Sequence, residues 1–365
     1  MDLFKIPLLK KIYKSRWFPL VFQIFTLIVF FLLIAGALGI NTHDMTFAKT
    51  LRNTNLANLI VWSYWWPLII VTAVLIGRYW CTICPMELVT SVASKLGLKR
   101  KPGNFLNSGW VITFFYALIL IIGIHTFAIH RVPERMAIYM LILFGTALIT
   151  GLVWEKRTFC SHICPVGHLL GLYSLLASTE WRVTKGILLF LPNRVSNLFG
   201  ITGIWRGTIG ALILFILFPT FFFIILGSLR KIVSNERLRD SMSVVALSIL
   251  PIMGSMHLLK AFLKMSSRIP YWTYIFQDPK GVKTAKAIIG GTLVLNKGVV
   301  QSFNPFLTGI ALLLLLVGFG FSFWFIMYRR NDSLSVKMVT LVAPLLYSGL
   351  FETGIVLWRV FHLPN

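Results

Sequence analysis

Apolar runs of about 20 residues, the length that crosses a hydrocarbon core, begin near Trp17, Ala57, Trp110, Met136, Gly207, Ser241, Pro305 and Met338. Short polar, basic stretches separate them, so the pattern predicts eight transmembrane helices in an all-α, polytopic membrane bundle. The stretch 186–200, GILLFLPNRVSNLFG, is apolar but interrupted by Pro192 and Arg194. It reads as an interfacial or half-inserted helix rather than a ninth span. The first run is too long for a cleavable signal peptide, and no small-residue cleavage site follows it.

Composition agrees with the pattern. The chain has 365 residues, 57% hydrophobic and 13% charged, with a mean hydropathy of +0.81. That is more apolar surface than a soluble fold of this size buries. Basic residues then suggest an orientation, because they accumulate in short cytoplasmic loops. Five precede the first span (Lys5, Lys10, Lys11, Lys14 and Arg16), and the later loops alternate between few and many. With a cytoplasmic N-terminus, 24 of the 35 fall inside and 11 outside. Both termini, the two cysteine motifs and the long loop 266–304 are then expected on the cytoplasmic side of a bacterial inner membrane. The loop, rich in aromatics and carrying the turn signal DPKG, is expected to lie along that surface and to cap a site or receive a partner.

The net charge of +24 is spread over many segments. It fits loop retention and contact with anionic lipid, and excludes a nucleic-acid stripe. An acidic soluble electron carrier could be steered to the same face. No nucleotide-binding or phosphate-binding motif occurs, and nothing supports hydrolytic catalysis.

The N-terminal half repeats itself. LIIVTAVLIGRYWCTICPMELVTSVASKLG and MLILFGTALITGLVWEKRTFCSHICPVGHLLGLYSLLAS share one plan: a span, a basic and an aromatic residue, Cys, a gap, Cys-Pro, then a short helix. The second cysteine recurs 80 positions on. The chain therefore divides into a repeated module, 1–180, and a C-terminal transmembrane module, 181–365. Cys81, Cys84, Cys160 and Cys164 are all the cysteines there are, which argues that the thiols do chemistry.

An iron-sulfur cluster, structural zinc and redox dithiols are the alternatives. Proline directly after the second cysteine, at Pro85 and Pro165, matches the Cys-Pro ending of bacterial ferredoxin cluster loops. Zinc sites have no such need. A reducing cytoplasm disfavours stable disulfides, and covalent haem c is disfavoured because neither pair is followed by His. Four thiolates match one [4Fe-4S] cluster shared by both motifs, Cys81, Cys84, Cys160 and Cys164 being its ligands.

GRYWCTICPMELVTSVASKLGLKRKPG and RTFCSHICPVGHLLGLYSLLAS resemble the membrane ferredoxin-like proteins of the NapH, NosR and CcoG group, which carry repeated cytoplasmic Cys-x-x-x-Cys-Pro motifs after transmembrane helices. The resemblance covers roughly residues 57 to 180. It implies electron transfer linked to quinones or to maturation of a metalloenzyme. The first motif here has a two-residue gap, and the soluble double-cluster ferredoxin domain usual in that group is absent, since four cysteines cannot build it.

A cluster at one membrane face needs a quinone, a second cofactor such as haem, or a partner protein to move electrons onward. Intramembrane polar residues mark such sites. Glu352 is the one carboxylate within a span, a candidate proton relay or quinone-hydroxyl acceptor. His257, with Lys260 a turn later, is expected at the inner end of its span as a quinone headgroup contact. His125 is expected at the outer end of the third span, so the two histidines do not pair on a haem, which finds no support. His162 between two ligands, and His168 and Glu87 just after the Cys-Pro units, are expected around the cluster, tuning it by hydrogen bonding. Arg78 and Arg157 are expected to offset its negative charge or to snorkel. Two function classes follow. One is a membrane electron-transfer protein, such as the membrane subunit of a quinone-linked oxidoreductase. The other is a transporter or assembly scaffold with a structural metal.

Overall fold

The computed structural model describes residues 15, 17–76, 80–155, 157–167, 205–296, 298–328 and 330–362. Each of the eight expected spans falls on helix, and among the described residues there is no strand, only an isolated parallel bridge between Arg100 and Trp154. The fold is an all-α helical bundle. Five helices are long and apolar enough to cross a membrane: Leu20–Ala37, Leu56–Ala73, Pro133–Val153, Leu238–Ile275 and Val300–Tyr328. The apolar stretches Trp110–Thr126 and Leu334–Gly349 are shorter. The interfacial helix expected at 186–200 lies outside the described residues.

Two compact units are formed. The first comprises Met1–Leu120, Ala128–Gly171 and Lys264–Val299. In it, α1 (Leu20–Ala37) leads to the short helix α2 (Met45–Thr54), started by Asp44, whose carboxylate accepts the Thr46 N–H at 2.7 Å. Next comes α3, built of Leu56–Leu59, a π-helical Ile60–Trp65 and Trp66–Ile76. Then follow α4 (Trp80–Ile83), α5 (Pro85–Leu96), α6 (Trp110–Leu118), α7 (Pro133–Val153) and α8 (Thr158–His162). Pro85 and Pro133 open their helices at the position where a missing N–H costs nothing. Outward positions are large and apolar: Phe25 and Leu32 on α1 are 64% and 65% exposed, and Ile142 and Ile149 on α7 are 60% and 61%. Such faces suit lipid rather than water.

The tightest packing is α5 against α7, where the two repeats meet. A Cβ on Gly151 would stand 2.8 Å from the Ala93 Cβ, so only glycine lets the helices approach this closely. Beyond it, Leu98 N–H donates to Leu152 O at 2.7 Å and Glu155 N–H to Arg100 O at 2.9 Å.

This unit has two ends. At one, Gln23 and Thr26 near the start of α1 reach the first cysteine turn. At the other, about 20 Å along α1 at 1.5 Å per residue, Asn55 donates to Gly36 O at 3.3 Å, and Glu134 N–H donates to Ile40 O at 3.2 Å. The segment after Lys264 joins this second end. Helix α11 (Val282–Ile289; the intervening helices are introduced below) packs Val282 and Ala285 on Ile40, Phe47 and Leu51. Thr54 donates to Gly281 O at 2.8 Å, and Leu56 N–H donates to Pro279 O at 3.0 Å. The amphipathic helix expected in the loop 266–304 exists, but it lies at the end opposite the cysteines and does not cap them. Lys49 and Lys286 thus share one end, whereas charge alternation put them on opposite faces. Alternation assigns faces by parity, so one miscounted crossing reverses every later loop.

The second unit comprises Ile121–Phe127, Leu172–Leu263 and Val300–Asn365. Its helices are α9 (Trp205–Leu212, Ile213–Leu217 and Phe218–Ser234), α10 (Leu238–Ser266), α12 (Gly298–Tyr328) and α13 (Leu334–His362). Leu226, Val245, Ile249, Ile252, Met253, Ala343 and Tyr347 form its core. Arg230, completely buried, donates to Glu236, to Asp332 at 2.9 Å and to Thr340 at 3.1 Å, so it ties α9, the start of α10 and the α12–α13 connection together. Burial raises the Asp332 carboxyl, but hydrogen bonds from Arg330 and Arg230 outweigh it and hold the group below the usual carboxylate range.

Candidate metal centre

The four thiols sit at the cysteine end of the first unit, none in a disulfide. Cys81 lies on α4, and Cys84 is the residue before α5. The turn between them is held from α1: Gln23 Nε2 donates to Thr82 O at 2.9 Å, and Thr26 Oγ1 to Ile83 O at 2.8 Å. Trp80 packs on Trp65, ring centroids 6.1 Å apart, and Trp65 on Phe30 at 6.4 Å. In the second repeat Cys160 lies on α8, and Cys164 precedes a helical turn at 165–167.

Both Cys-Pro units work the same way. A helix begins with donors that have no partner within the helix. Proline fills the first position, where it has no N–H to lose, and the next two N–H groups lie near the cysteine sulfur. Gly167 N–H donates to Cys164 Sγ at 3.4 Å with Val166 N–H nearby, while the N–H groups of Met86 and Glu87 lie near the Cys84 sulfur and Glu87 N–H donates to Cys84 O at 3.2 Å. A thiolate at a helix N-terminus is favoured by these donors and by the helix dipole.

The repeats converge. Cys84 lies within electrostatic reach of Cys164 and Cys81, Cys160 within reach of the other three, and Cys164 within reach of Cys81. Burial, reinforced by those neighbours, pushes the Cys84 thiol up to about 12 and Cys164 up to about 11, against the donation of the N–H groups. Cys160 is raised further, again by burial first, then by Cys164, Cys84 and Glu87. A positive metal centre reverses that balance, because a coordinating thiol is deprotonated outright.

Among the described residues no three His, Cys, Asp or Glu side chains are grouped tightly enough to hold a single metal ion. Four thiols brought within electrostatic reach of one another from two Cys-Pro turns supply the four thiolates that a [4Fe-4S] cluster takes. The donor set therefore fits a [4Fe-4S] cluster.

Glu87 and Arg157 also join the site. Glu87, on the first turn of α5, is buried; its Oε1 accepts from Arg157 Nε at 3.2 Å, and its Oε2 accepts from Cys160 Sγ at 3.7 Å. His162 ends α8 between Cys160 and Cys164. Arg78 and His168 lie outside the described residues, as does the side chain of Glu352 on α13. His257 is buried on α10, its Nδ1 3.0 Å from Met253 O, with Lys260 on the next turn. His125 sits beside α9, its carbonyl against Gly207.

Sequence reasoning missed Gln23, Thr26 and Gly167. A glutamine in an apolar helix was the available signal for the first. Gly167 is required because its Cβ would collide with Cys160 O.

A family model described as a 4Fe-4S binding domain matches residues 58–103 and 136–184, one stretch for each cysteine motif. No curated protein and no solved structure matches the chain. The family match supports an iron-sulfur protein of ferredoxin type and an electron-transfer role.

Proposed function

We propose that the chain is a membrane electron-transfer protein that holds one [4Fe-4S] cluster between its two cysteine turns and exchanges electrons with quinone and a redox partner protein. The observation that carries this reading is the convergence of Cys81, Cys84, Cys160 and Cys164 from two repeats, each second cysteine standing directly before a helical turn opened by proline. When bound, the cluster accepts and releases one electron. The chain's part is to supply four thiolates, donate hydrogen bonds to two of them, and shield the site by burial.

In this reading the cysteine end faces the cytoplasm of a bacterial inner membrane, in contact with anionic lipid. Support comes from the five bases that precede α1, whose start lies at that end, because bases flanking the first span usually dominate orientation. A reducing compartment also keeps four thiols free for cluster assembly. Loop charge lends no weight, since Lys49, Arg52, Arg131, Arg135, Lys280, Lys283 and Lys286 belong to segments of the opposite end. His257, Lys260 and Glu352, polar groups on apolar helices of the second unit, are the quinone and proton contacts of the proposal.

Protein purified without oxygen should be brown and hold about four irons and four sulfides per chain. Colourless protein with one zinc per chain would overturn the reading. Glu352→Gln or His257→Ala should leave the cluster spectrum intact and slow reduction by a quinol analogue. If neither slows it, quinone contact lies elsewhere or is not made.

A further inference from the structure

The two Cys-Pro units differ at one informative place. Three residues after the second cysteine stands Gly167 in one repeat and Glu87 in the other. Gly167 has its backbone against Cys160, while Glu87 sends its carboxylate across the repeat boundary to the same residue, Oε2 3.7 Å from Cys160 Sγ. Both second-cysteine helices therefore press on Cys160, but only one brings a charge.

That charge is not explained as a stabilising ion pair. The Glu87 side chain is 9% exposed and that of Arg157 is 72% exposed. A pair open to water on its cationic side contributes little to stability. Glu87 has some favour from its place on the first turn of a helix, yet an ordinary exposed first-turn carboxylate would have that without burial. Once iron replaces the thiol proton, the Cys160 sulfur and the Glu87 carboxylate carry like charge at the contact, and Arg157 is the counter-charge on the other carboxylate oxygen.

We propose that Glu87 and Arg157 are opposed electrostatic tuning residues for the cluster. The buried carboxylate of the first repeat makes reduction harder at the Cys160 corner, and the guanidinium of the second repeat partly offsets it. This rests on the cluster reading given above. Reduction adds negative charge to the site, so a fixed anion nearby lowers the reduction potential and a fixed cation raises it, net charge being one of the protein's means of setting cluster potentials. The repeats are then unequal: Cys160 receives a side-chain charge from the opposite repeat where the equivalent position of its own repeat carries Gly167.

The test is redox titration of the intact, cluster-loaded protein, followed by visible absorption and electron paramagnetic resonance, beside iron and sulfide counts. Glu87→Gln keeps shape and removes the anion, so the potential should rise by about 59 mV, a tenfold change in the one-electron equilibrium constant. Arg157→Gln should shift it down, Glu87→Asp should stay near wild type, and the double Gln variant should fall between the singles. Arg157 is exposed, so its variant folds even if loss of Glu87 costs cluster occupancy, and its potential alone decides. Unchanged potentials at full iron content, or shifts of the same sign, would show that the pair only braces the turn. Wild-type protein without iron and sulfide would instead refute the cluster reading itself.

Discussion

The two cysteine turns are copies of one device built to different tolerances. Each places a cysteine directly before a helical turn opened by proline, with backbone N–H groups of that turn near its sulfur. The first turn closes after two intervening residues and is held from outside, by Gln23 and Thr26 of α1. The second has three intervening residues and is held from within, by Gly167 lying against Cys160. What is common is backbone geometry, which duplication copies directly. What differs is support, because a duplicated turn meets a new set of neighbours.

The severest way to break the comparison is to remove one thiol. Cys81→Ser, Cys84→Ser, Cys160→Ser and Cys164→Ser should each abolish or severely damage the whole cluster, whichever repeat is hit, because a cube takes four thiolates and the chain offers four. Iron analysis reads the outcome. Half the iron surviving a Cys81→Ser change, or about eight irons in wild type, would mean that each turn holds its own centre.

Much of this site was legible beforehand, and for physical reasons. Cys-x-x-Cys-Pro and Cys-x-x-x-Cys-Pro announce candidate ligands and helix starts locally, so the thiols, the helix after the first pair, the helical turn after the second and the all-α class could be read from the pattern. The close approach of the repeats could not. It depends on Gly151 lying opposite Ala93, and nothing in either segment names its partner. Nor could the contacts of Gln23 and Thr26 with the turn, made across 57 to 59 residues of sequence. The far-end position of α11 was misread because charge alternation accumulates error along the chain, whereas the Asn55, Thr54 and Gly281 contacts that fix it are long-range. Glu87 was noticed near the cluster, but its reach to the other repeat was not visible.

If the two turns share one membrane face, the bases after them do too. In sealed vesicles, an impermeant amine reagent should modify Lys95 and Lys101 from one side and Lys49 and Lys286 from the other. Lys49 and Lys286 reacting from opposite sides would undo the packing of α11 on α2.

Support from within should be less forgiving than support by a side chain. Gly167→Ala puts a methyl into Cys160 O, a backbone atom that cannot swing away. Overpacking of this kind costs about 1–3 kcal/mol, so cluster retention against a chelator should drop about tenfold or more. Glu87→Ala removes contact without adding bulk and should cost retention less. A larger loss from Glu87→Ala than from Gly167→Ala would reverse the ranking of the two supports.

The smallest effect belongs to the bond that holds the first turn from α1. Gln23 is 7% exposed and donates to Thr82 O between the two ligands. Gln23→Leu keeps the volume but leaves that carbonyl without this donor. The net worth of such a bond is about 1 kcal/mol, rising somewhat when its partner stays buried and unsatisfied. At 1.4 kcal/mol per factor of ten, release of iron to a chelator should accelerate about fivefold, with four irons still bound at the outset. Thr26→Val removes the neighbouring bond to Ile83 O and should act alike. The two changes should combine less than additively, because both loosen one turn. The same pair should leave the thiol reactivity of Cys164 in the cluster-free protein unchanged while raising that of Cys81, since the bonds touch only the first turn. Equal changes at both cysteines would mean that the two turns move as one body, and that their separate supports are not separate at all.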